Sequence, residues 1–260
     1  MNDHAVPFFT HLIELRRRLL WCLIAVLTAV LASWPFAADF LVLLVQPLVD
    51  ALPVGEKHLV ALSPAEKWMA LLKVSTLSGL IISIPVVVYQ LWKFAAPGLY
   101  RRERLATVSF VSVASLLFVL GVLLCYTKML PLMFPYLVGN EGFVGTRGFF
   151  TDASDLVRPM IQVAEAVSFT VGMLVAFGTA FELPLLVYFL TRYGIVQLET
   201  WDKLRPYAWV GAVVAGAVLT PSDVVISQLA LGIPIGILYE IGILAARLID
   251  RSQPAVDGPS

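Results

Sequence analysis

Residues that support covalent or metal chemistry are scarce in this chain. It contains only two cysteines, Cys22 and Cys125, and three histidines, His4, His11 and His58. Both cysteines fall within long apolar stretches, where a thiol packs as a small apolar group more often than it forms a disulfide. The histidines lie outside those stretches, and the sequence has no G-x-x-x-x-G-K-[ST] phosphate loop. We therefore expect no enzyme activity, no metal and no cofactor.

Charge is also scarce, since 14% of the 260 residues are charged and 59% are hydrophobic. This composition is typical of a polytopic membrane protein. Alternation with a period of two residues is absent, and in lipid only helices and closed barrels satisfy every backbone group. The sequence therefore predicts an all-α polytopic membrane protein with six transmembrane helices, at about residues 19–36, 70–92, 105–130, 167–190, 207–220 and 224–246.

The fifth predicted span is the shortest. Only Pro221, Ser222 and Asp223 separate it from the sixth, which predicts a tight transmembrane hairpin. Fourteen residues reach about 21 Å at a rise of about 1.5 Å each, whereas the hydrocarbon is about 30 Å thick. We expect the lipid beside this hairpin to be thinned, or to be shielded by partner helices.

Lys and Arg are distributed unequally between the two sides of the membrane. With six spans both termini share one side, and the termini and the connections on that side hold the larger part of the 18 basic residues. By the positive-inside rule both termini are cytoplasmic. Ala37 and Ala38 could follow a cleavable signal, but the first apolar run exceeds the roughly 7 to 15 residues of such a signal.

The chain shows no separate soluble domain. We expect a single transmembrane domain over residues 1–250 and a disordered tail over 251–260. The two longest outer connections, at about residues 37–67 and 131–166, are expected to be structured caps in which prolines break helices and fix turns. Those prolines are Pro35, Pro47, Pro53, Pro64, Pro131, Pro135 and Pro159.

A charged segment precedes the first span. Its apolar residues, Phe8, Leu12, Leu15 and Leu19, have helical spacing, which predicts an amphipathic helix that lies at the interface and turns into the membrane. Glu14 can bind a ligand or pair with Arg18 at i,i+4, a contact worth roughly 0.3–0.5 kcal/mol.

The second cytoplasmic connection reads FAAPGLYRRER over residues 94–104. Glu103 stands among three arginines and can be a charge balancer or a binding residue. Phe94, Pro97 and Tyr100 are expected to shape this loop, with Pro97 enforcing a turn, although packing alone explains them equally well.

Glu182 lies within the fourth apolar stretch, two residues before Pro184. A carboxylate at bilayer depth costs roughly 2.5–3.5 kcal/mol, so the side chain requires a polar partner. That partner can be a hydroxyl group on a neighbouring helix of this chain or a polar side chain of another protein.

Four motifs resemble the TatC family, the multispanning receptor subunit of the twin-arginine protein translocase. They occur in family order along nearly the whole chain, and they read HLIELRRRL (11–19), FAAPGLYRRER (94–104), AFGTAFELP (176–184) and RPYAWVGAVVAGAVLTPSD (205–223). The resemblance implies a core translocase subunit of the bacterial inner membrane. Such a subunit receives the twin-arginine signal peptides of folded precursor proteins, which are exported with the proton-motive force.

The resemblance also implies roles for individual residues. It assigns signal-peptide binding to Glu14, Arg16, Arg18, Phe94 and Glu103. Each of the two carboxylates can accept a pair of parallel hydrogen bonds from one guanidinium group, a geometry that lysine cannot reproduce. Pro47 matches a family position, although a simple loop proline explains it equally well.

Binding of partner proteins is implied for a second set of residues, Glu182, Thr220, Asp223 and Gln228, with Ser227 nearby. The partners are single-span proteins of the TatA and TatB type, and we expect an oligomeric complex with membrane lipids and no nucleic acid. Ser222 replaces a usual proline of the family, so the register of residues 224–227 against the family pattern stays open.

Two other classes of function fit the sequence less well. A proton-coupled secondary transporter of a small solute also uses an intramembrane carboxylate, but the sequence shows no inverted repeat and its notable charges lie at the cytoplasmic edge. An intramembrane hydrolase lacks a recognisable nucleophile and base.

Overall fold

The computed structural model describes residues 5–52, 58–95, 104–137, 161–219 and 225–250. Within these ranges the chain forms helices and no strands, apart from one isolated parallel bridge between Val60 and Gln162. The α-helices of the described residues are α1 Ala5–Ser33, α2 Ala37–Ala51, α3 Pro64–Ala95, α4 Arg104–Leu124, α5 Leu130–Leu137, α6 Val163–Ala180, α7 Leu183–Arg192, α8 Leu198–Leu219 and α9 Val225–Asp250.

The predicted spans fall on helices wherever the structure describes them, which confirms the all-α fold, although the third span continues from α4 into α5 and the fourth is divided between α6 and α7. Five segments of the described chain are long and apolar enough to cross a membrane. They are Leu12–Ala51, Pro64–Phe94, Val108–Pro135, Val163–Arg192 and Leu231–Leu248. Helix α8 is not among them, because its first two turns contain Glu199, Asp202, Lys203 and Arg205.

Two predicted boundaries were wrong. Helix α1 is continuous from Ala5 to Ser33, so no turn separates the charged segment from the first span. Helix α8 has 22 residues rather than fourteen, because it begins at Leu198 and continues through Pro206. The predicted shortness applies only to the apolar part of α8, which begins after Arg205.

The first outer connection is more helical than the prolines suggested. Pro47 lies buried inside α2, where the sequence predicted a helix break. A proline is tolerated within a helix when neighbouring groups satisfy the freed backbone carbonyl. Pro64 does begin a helix, α3, as expected. Pro53 and Pro159, and the tail over 251–260, lie outside the described residues.

The chain divides into two compact units, and the single domain over residues 1–250 stays a prediction. In the first unit, residues 1–50, 54–119 and 159–171, α1 packs on α3. Gly79 permits this approach, since a Cβ there would lie 2.6 Å from the Val30 backbone nitrogen. Ser33 Oγ donates to the Ser75 carbonyl oxygen at 3.1 Å, and Trp92 stacks on Phe110 with ring centroids 4.0 Å apart.

The two outer connections meet within the first unit. Val60 N donates to the Ile161 carbonyl at 3.0 Å, and Val163 N donates to the Val60 carbonyl at 3.1 Å. The Glu66 carboxylate accepts from Ala164 N at 2.8 Å and from Leu62 N at 2.7 Å. These described parts of the connections therefore form a structured cap.

The second unit contains residues 51–53, 120–158 and 172–260. Its core includes Val187, Tyr239, Ile243 and Ala246, which join α7 to α9. Helices α8 and α9 pack as an antiparallel pair, which confirms the predicted hairpin. The close approach requires Gly216, because a Cβ there would lie 3.3 Å from Gln228 Cα and 3.2 Å from its carbonyl carbon.

Candidate functional site

A polar cavity of about 240 Å³ lies between the cytoplasmic ends of α1 and α3. We name it the α1–α3 cavity, and it is lined by Glu14, Arg17, Arg18, Trp21, Gln90 and Lys93. The four α1 residues share one face because they are spaced by three, four and seven positions. The two α3 residues are three apart and face them from the end of that helix.

Glu14 and Arg18 form an ion pair on the wall of this cavity. Arg18 Nε donates to Glu14 Oε1 at 3.1 Å, and Arg18 Nη2 contacts the same oxygen. The Arg18 side chain is 13% exposed and the Glu14 side chain 36%, so the carboxylate is the more accessible partner. The local i,i+4 pair is therefore present, and it leaves Glu14 within reach of a ligand in the cavity.

The other predicted binding residues lie around this cavity or outside the described chain. Arg16 is exposed on α1 and does not line the cavity. Phe94 is half-buried in the last turn of α3. Glu103 and Pro97 fall in residues 96–103, which the structure does not describe, so it does not test whether Glu103 joins Glu14.

Four lining residues were missed by the sequence analysis: Arg17, Trp21, Gln90 and Lys93. Helical spacing from Glu14 was a usable signal for Arg17 and Trp21, which follow it by three and seven positions. Gln90 and Lys93 required knowledge that α3 packs on α1, a contact between residues far apart in sequence.

Glu182 lies at the break between α6 and α7. Pro184 is the second residue of α7 and has no N–H to donate, which accounts for the end of α6 at Ala180. The Glu182 N–H donates to the Thr179 carbonyl at 3.1 Å. Its Oε1 atom is buried and has no hydrogen-bond partner among the described residues. No hydroxyl group of the described chain therefore supplies the internal bond considered above.

A second intramembrane carboxylate, Glu240 of α9, is paired. Arg205 Nη2 donates to Glu240 Oε2 at 2.7 Å, and Trp209 Nε1 donates to Glu240 Oε1 at 3.4 Å. Asp202 accepts from Arg247 Nη2 at 2.7 Å, so charged pairs connect α8 and α9 at their cytoplasmic ends. The sequence analysis did not single out Glu240, although its place in an apolar span was a sufficient signal.

The predicted partner-binding cluster at the outer end of the hairpin is described only in part. Gln228 lies in the first turn of α9, half-buried, with its backbone against Gly216. Thr220 and Asp223 fall in residues 220–224, outside the described chain. The register of residues 224–227 thus stays open.

The described residues contain no group of three or more His, Cys, Asp or Glu side chains placed to hold a metal ion. The α1–α3 cavity can instead bind a charged or polar ligand from the cytoplasmic side. Glu14 can accept hydrogen bonds from a cation, whereas Arg17 and Lys93 favour an anion.

Comparison with known proteins gives consistent matches. The model of the family described as "Sec-independent protein translocase protein (TatC)" matches residues 10–234. The TatC protein of Escherichia coli strain K12 is 39% identical over 241 residues, which are 93% of this chain and 88% of that protein. The TatC protein of Aquifex aeolicus strain VF5 is 36% identical over 251 residues, which are 96% of this chain and 99% of that protein.

A solved structure agrees with these matches. The crystal structure of a twin-arginine translocase receptor, TatC, superposes with a TM-score of 0.79 at 37% identity. The superposition covers 93% of this chain and 100% of that one. The chain therefore belongs to the TatC family of Sec-independent protein translocase proteins.

Proposed function

We propose that this chain binds twin-arginine signal peptides and works with TatA-type and TatB-type single-span proteins to export folded proteins with the proton-motive force. Membership of the family makes it an inner-membrane component of a Tat translocase complex, not an enzyme. The small-solute transporter is therefore the less supported alternative.

The observation that carries the proposal is the position of Glu14 on the wall of an open polar cavity. A carboxylate accepts a guanidinium group through two parallel hydrogen bonds, and a lysine ammonium cannot reproduce this geometry. The site therefore suits a motif that requires arginine. For the second arginine of the motif we propose the Glu103 carboxylate, a role that rests on the family resemblance.

Positive charge around Glu14 opposes the binding of a cationic motif. The balance depends on distance: a charge pair at 4 Å is worth about 4 kcal/mol at an effective dielectric constant of 20. Exposed charges beyond about 8 Å are largely screened at physiological salt. A guanidinium in direct contact with Glu14 therefore interacts more strongly with this carboxylate than with exposed arginines farther than about 8 Å away. Arg18 and Arg16 orient the amino-terminal segment, and Phe94 and Pro97 shape the loop.

The test is the affinity of the purified chain for a twin-arginine signal peptide. Glu14→Gln keeps the size of the side chain and removes its charge. We expect at least about tenfold weaker binding of the peptide, because this is the change in affinity that the loss of one charge-assisted hydrogen bond produces. Glu199→Gln is the matched control, because Glu199 is exposed near the start of α8 and lies outside the α1–α3 cavity. Equal affinities of the two variants would contradict the assignment of Glu14.

Partner binding is assigned to Glu182, Thr220, Asp223 and Gln228. The support for Glu182 is its buried Oε1 atom, which lacks a hydrogen-bond partner among the described residues. A polar side chain on the helix of a single-span partner would satisfy it. For Thr220, Asp223 and Gln228 the support is the family resemblance, and Pro47 is assigned a structural role within α2.

A further inference from the structure

The α1–α3 cavity has an excess of positive charge. Among the residues that the structure describes, its lining contains three basic side chains and one carboxylate, and Arg18 pairs with that carboxylate. Arg17 is exposed and makes no hydrogen bond or ion pair with any other residue that the structure describes. Lys93 lies on the opposite wall, with Nζ 5.7 Å from the centroid of the Tyr89 ring. A singly charged anion would balance part of this excess.

The position of the cavity at the ends of the apolar parts of α1 and α3 corresponds to the depth of the lipid headgroups. The apolar run of α1 begins at Leu19, directly after the arginines, and Trp21 lines the cavity beside them. Tryptophan concentrates at the membrane–water interface, and basic side chains near helix ends extend to the same level. The ligands that lie at this depth in the inner leaflet are phospholipid phosphate groups.

The donors suit a phosphate group. Arg17 can bind two phosphate oxygens with its guanidinium fork, Lys93 contributes a point charge, and the Gln90 amide contributes a neutral donor. The volume of about 240 Å³ accommodates such a group with several waters, since a water occupies roughly 30 Å³ in the liquid.

An apolar groove beside the cavity favours a lipid over free phosphate. This groove, about 290 Å³ in volume, lies between α3 and α4 and is lined mostly by Pro85, Val86, Tyr89, Val108 and Val111. Tyr89 joins the two sites, because its ring lines the groove and lies beneath the Lys93 ammonium. A phosphate bound at Lys93 would thus have a place for its acyl chain one to two helical turns deeper.

We propose that the α1–α3 cavity binds an anionic phospholipid of the inner leaflet, with its phosphate held by Arg17, Lys93 and Gln90 and an acyl chain in the adjoining groove. This inference goes beyond the receptor role and does not depend on it. The bound phosphate also offsets positive charge that would otherwise repel a twin-arginine motif at Glu14.

Lipid binding to the purified full chain in neutral detergent tests the proposal. Native mass spectrometry would titrate phosphatidylglycerol, with phosphatidylcholine of the same acyl chains as the neutral comparison. We expect Arg17→Gln with Lys93→Gln to weaken phosphatidylglycerol binding at least about tenfold, and Lys93→Arg to retain it. The matched control is Arg192→Gln with Lys203→Gln, which removes two exposed basic residues outside the cavity.

Three results would overturn the proposal. Equal weakening in the two double variants would mean that net charge alone attracts the lipid. Equal binding of phosphatidylcholine would mean that the acyl chains alone are recognised. Displacement of the lipid by an equal concentration of inorganic phosphate would identify the ligand as a free anion.

A second variant separates this proposal from the receptor role. Glu14→Gln removes the only carboxylate among the described residues that line the cavity and releases Arg18, so phosphatidylglycerol binding should strengthen while signal-peptide binding weakens. Weaker lipid binding in this variant would contradict the lipid site. Unchanged signal-peptide binding would contradict only the receptor assignment.

Discussion

At the scale of single residues, two intramembrane carboxylates have opposite environments. Glu240 accepts hydrogen bonds from Arg205 and Trp209, so its charge is compensated within the chain. Glu182 has a buried oxygen with no such partner among the described residues. A buried polar atom without a hydrogen bond costs about 1–3 kcal/mol, which binding of a polar partner group would recover. The contrast therefore favours Glu182 over Glu240 as a contact for another protein.

This difference predicts the effect of substituting Glu182. Glu182→Ala should reduce co-purification of the single-span partners by about tenfold, because the partner's polar group loses its hydrogen bond. Glu182→Gln keeps hydrogen-bonding capacity and should retain most of the binding. Thr179→Val is the matched control, since Thr179 is exposed one turn earlier and its hydroxyl bonds within α6. Full co-purification with Glu182→Ala would show that Glu182 does not bind the partners.

Single residues were predictable from sequence only where their local context was unusual. Glu182 was recognisable because a carboxylate in an apolar run is costly, and Glu240 carried the same signal. Arg17 was obscured by its place in a run of three arginines. Gln90 and Lys93 became recognisable only once α3 was known to pack on α1, because that contact joins distant parts of the chain.

At the scale of helices, small residues determine how closely elements pack. Gly216 of α8 faces the backbone of Gln228 in α9, and Gly236 of α9 faces the Trp209 ring. Close backbone approach through small residues is the usual basis of helix association in membranes. The α8–α9 hairpin is therefore expected to be sensitive to added side-chain volume.

Gly216→Leu should separate α8 from α9. Overpacking of this kind costs about 1–3 kcal/mol, so we expect a lower thermal unfolding midpoint for the purified protein in detergent. Gly211→Ala is the matched control in the same helix, because a Cβ there would meet nothing within 4 Å. It should be neutral or slightly stabilising, since alanine favours helix over glycine by about 1 kcal/mol. Equal unfolding midpoints for the two variants would contradict tight packing at Gly216.

The order of the membrane-spanning segments was predictable, but the number and the limits of the helices were less so. Apolar length identified each span, because the hydrocarbon thickness sets a minimum. Proline was a poor guide to the ends: Pro47, Pro206 and Pro234 lie inside helices, while Pro184 does accompany a break. Backbone groups freed by proline can be satisfied by neighbours, so the tertiary context decides whether a helix ends.

At the scale of the whole molecule, composition and the order of four motifs were sufficient to identify the family. The structure adds a polar cavity at the cytoplasmic ends of α1 and α3, with Glu14 and excess basic charge on its walls. The cavity could not be predicted from the sequence, because it depends on the packing of α1 on α3, which are far apart along the chain. We propose that this mixed charge accommodates both a cationic motif at Glu14 and an anionic lipid at Arg17 and Lys93.

The most direct test of the receptor account is a double-mutant cycle between the chain and its signal peptide. Affinity would be measured for Arg-Arg and Lys-Lys peptides, with the unchanged chain and with Glu14→Gln combined with Glu103→Gln. The account predicts that the unchanged chain prefers Arg-Arg by about tenfold or more and that the double variant loses this preference. A preference of the same size in the double variant would contradict the claim that these carboxylates recognise the paired arginines.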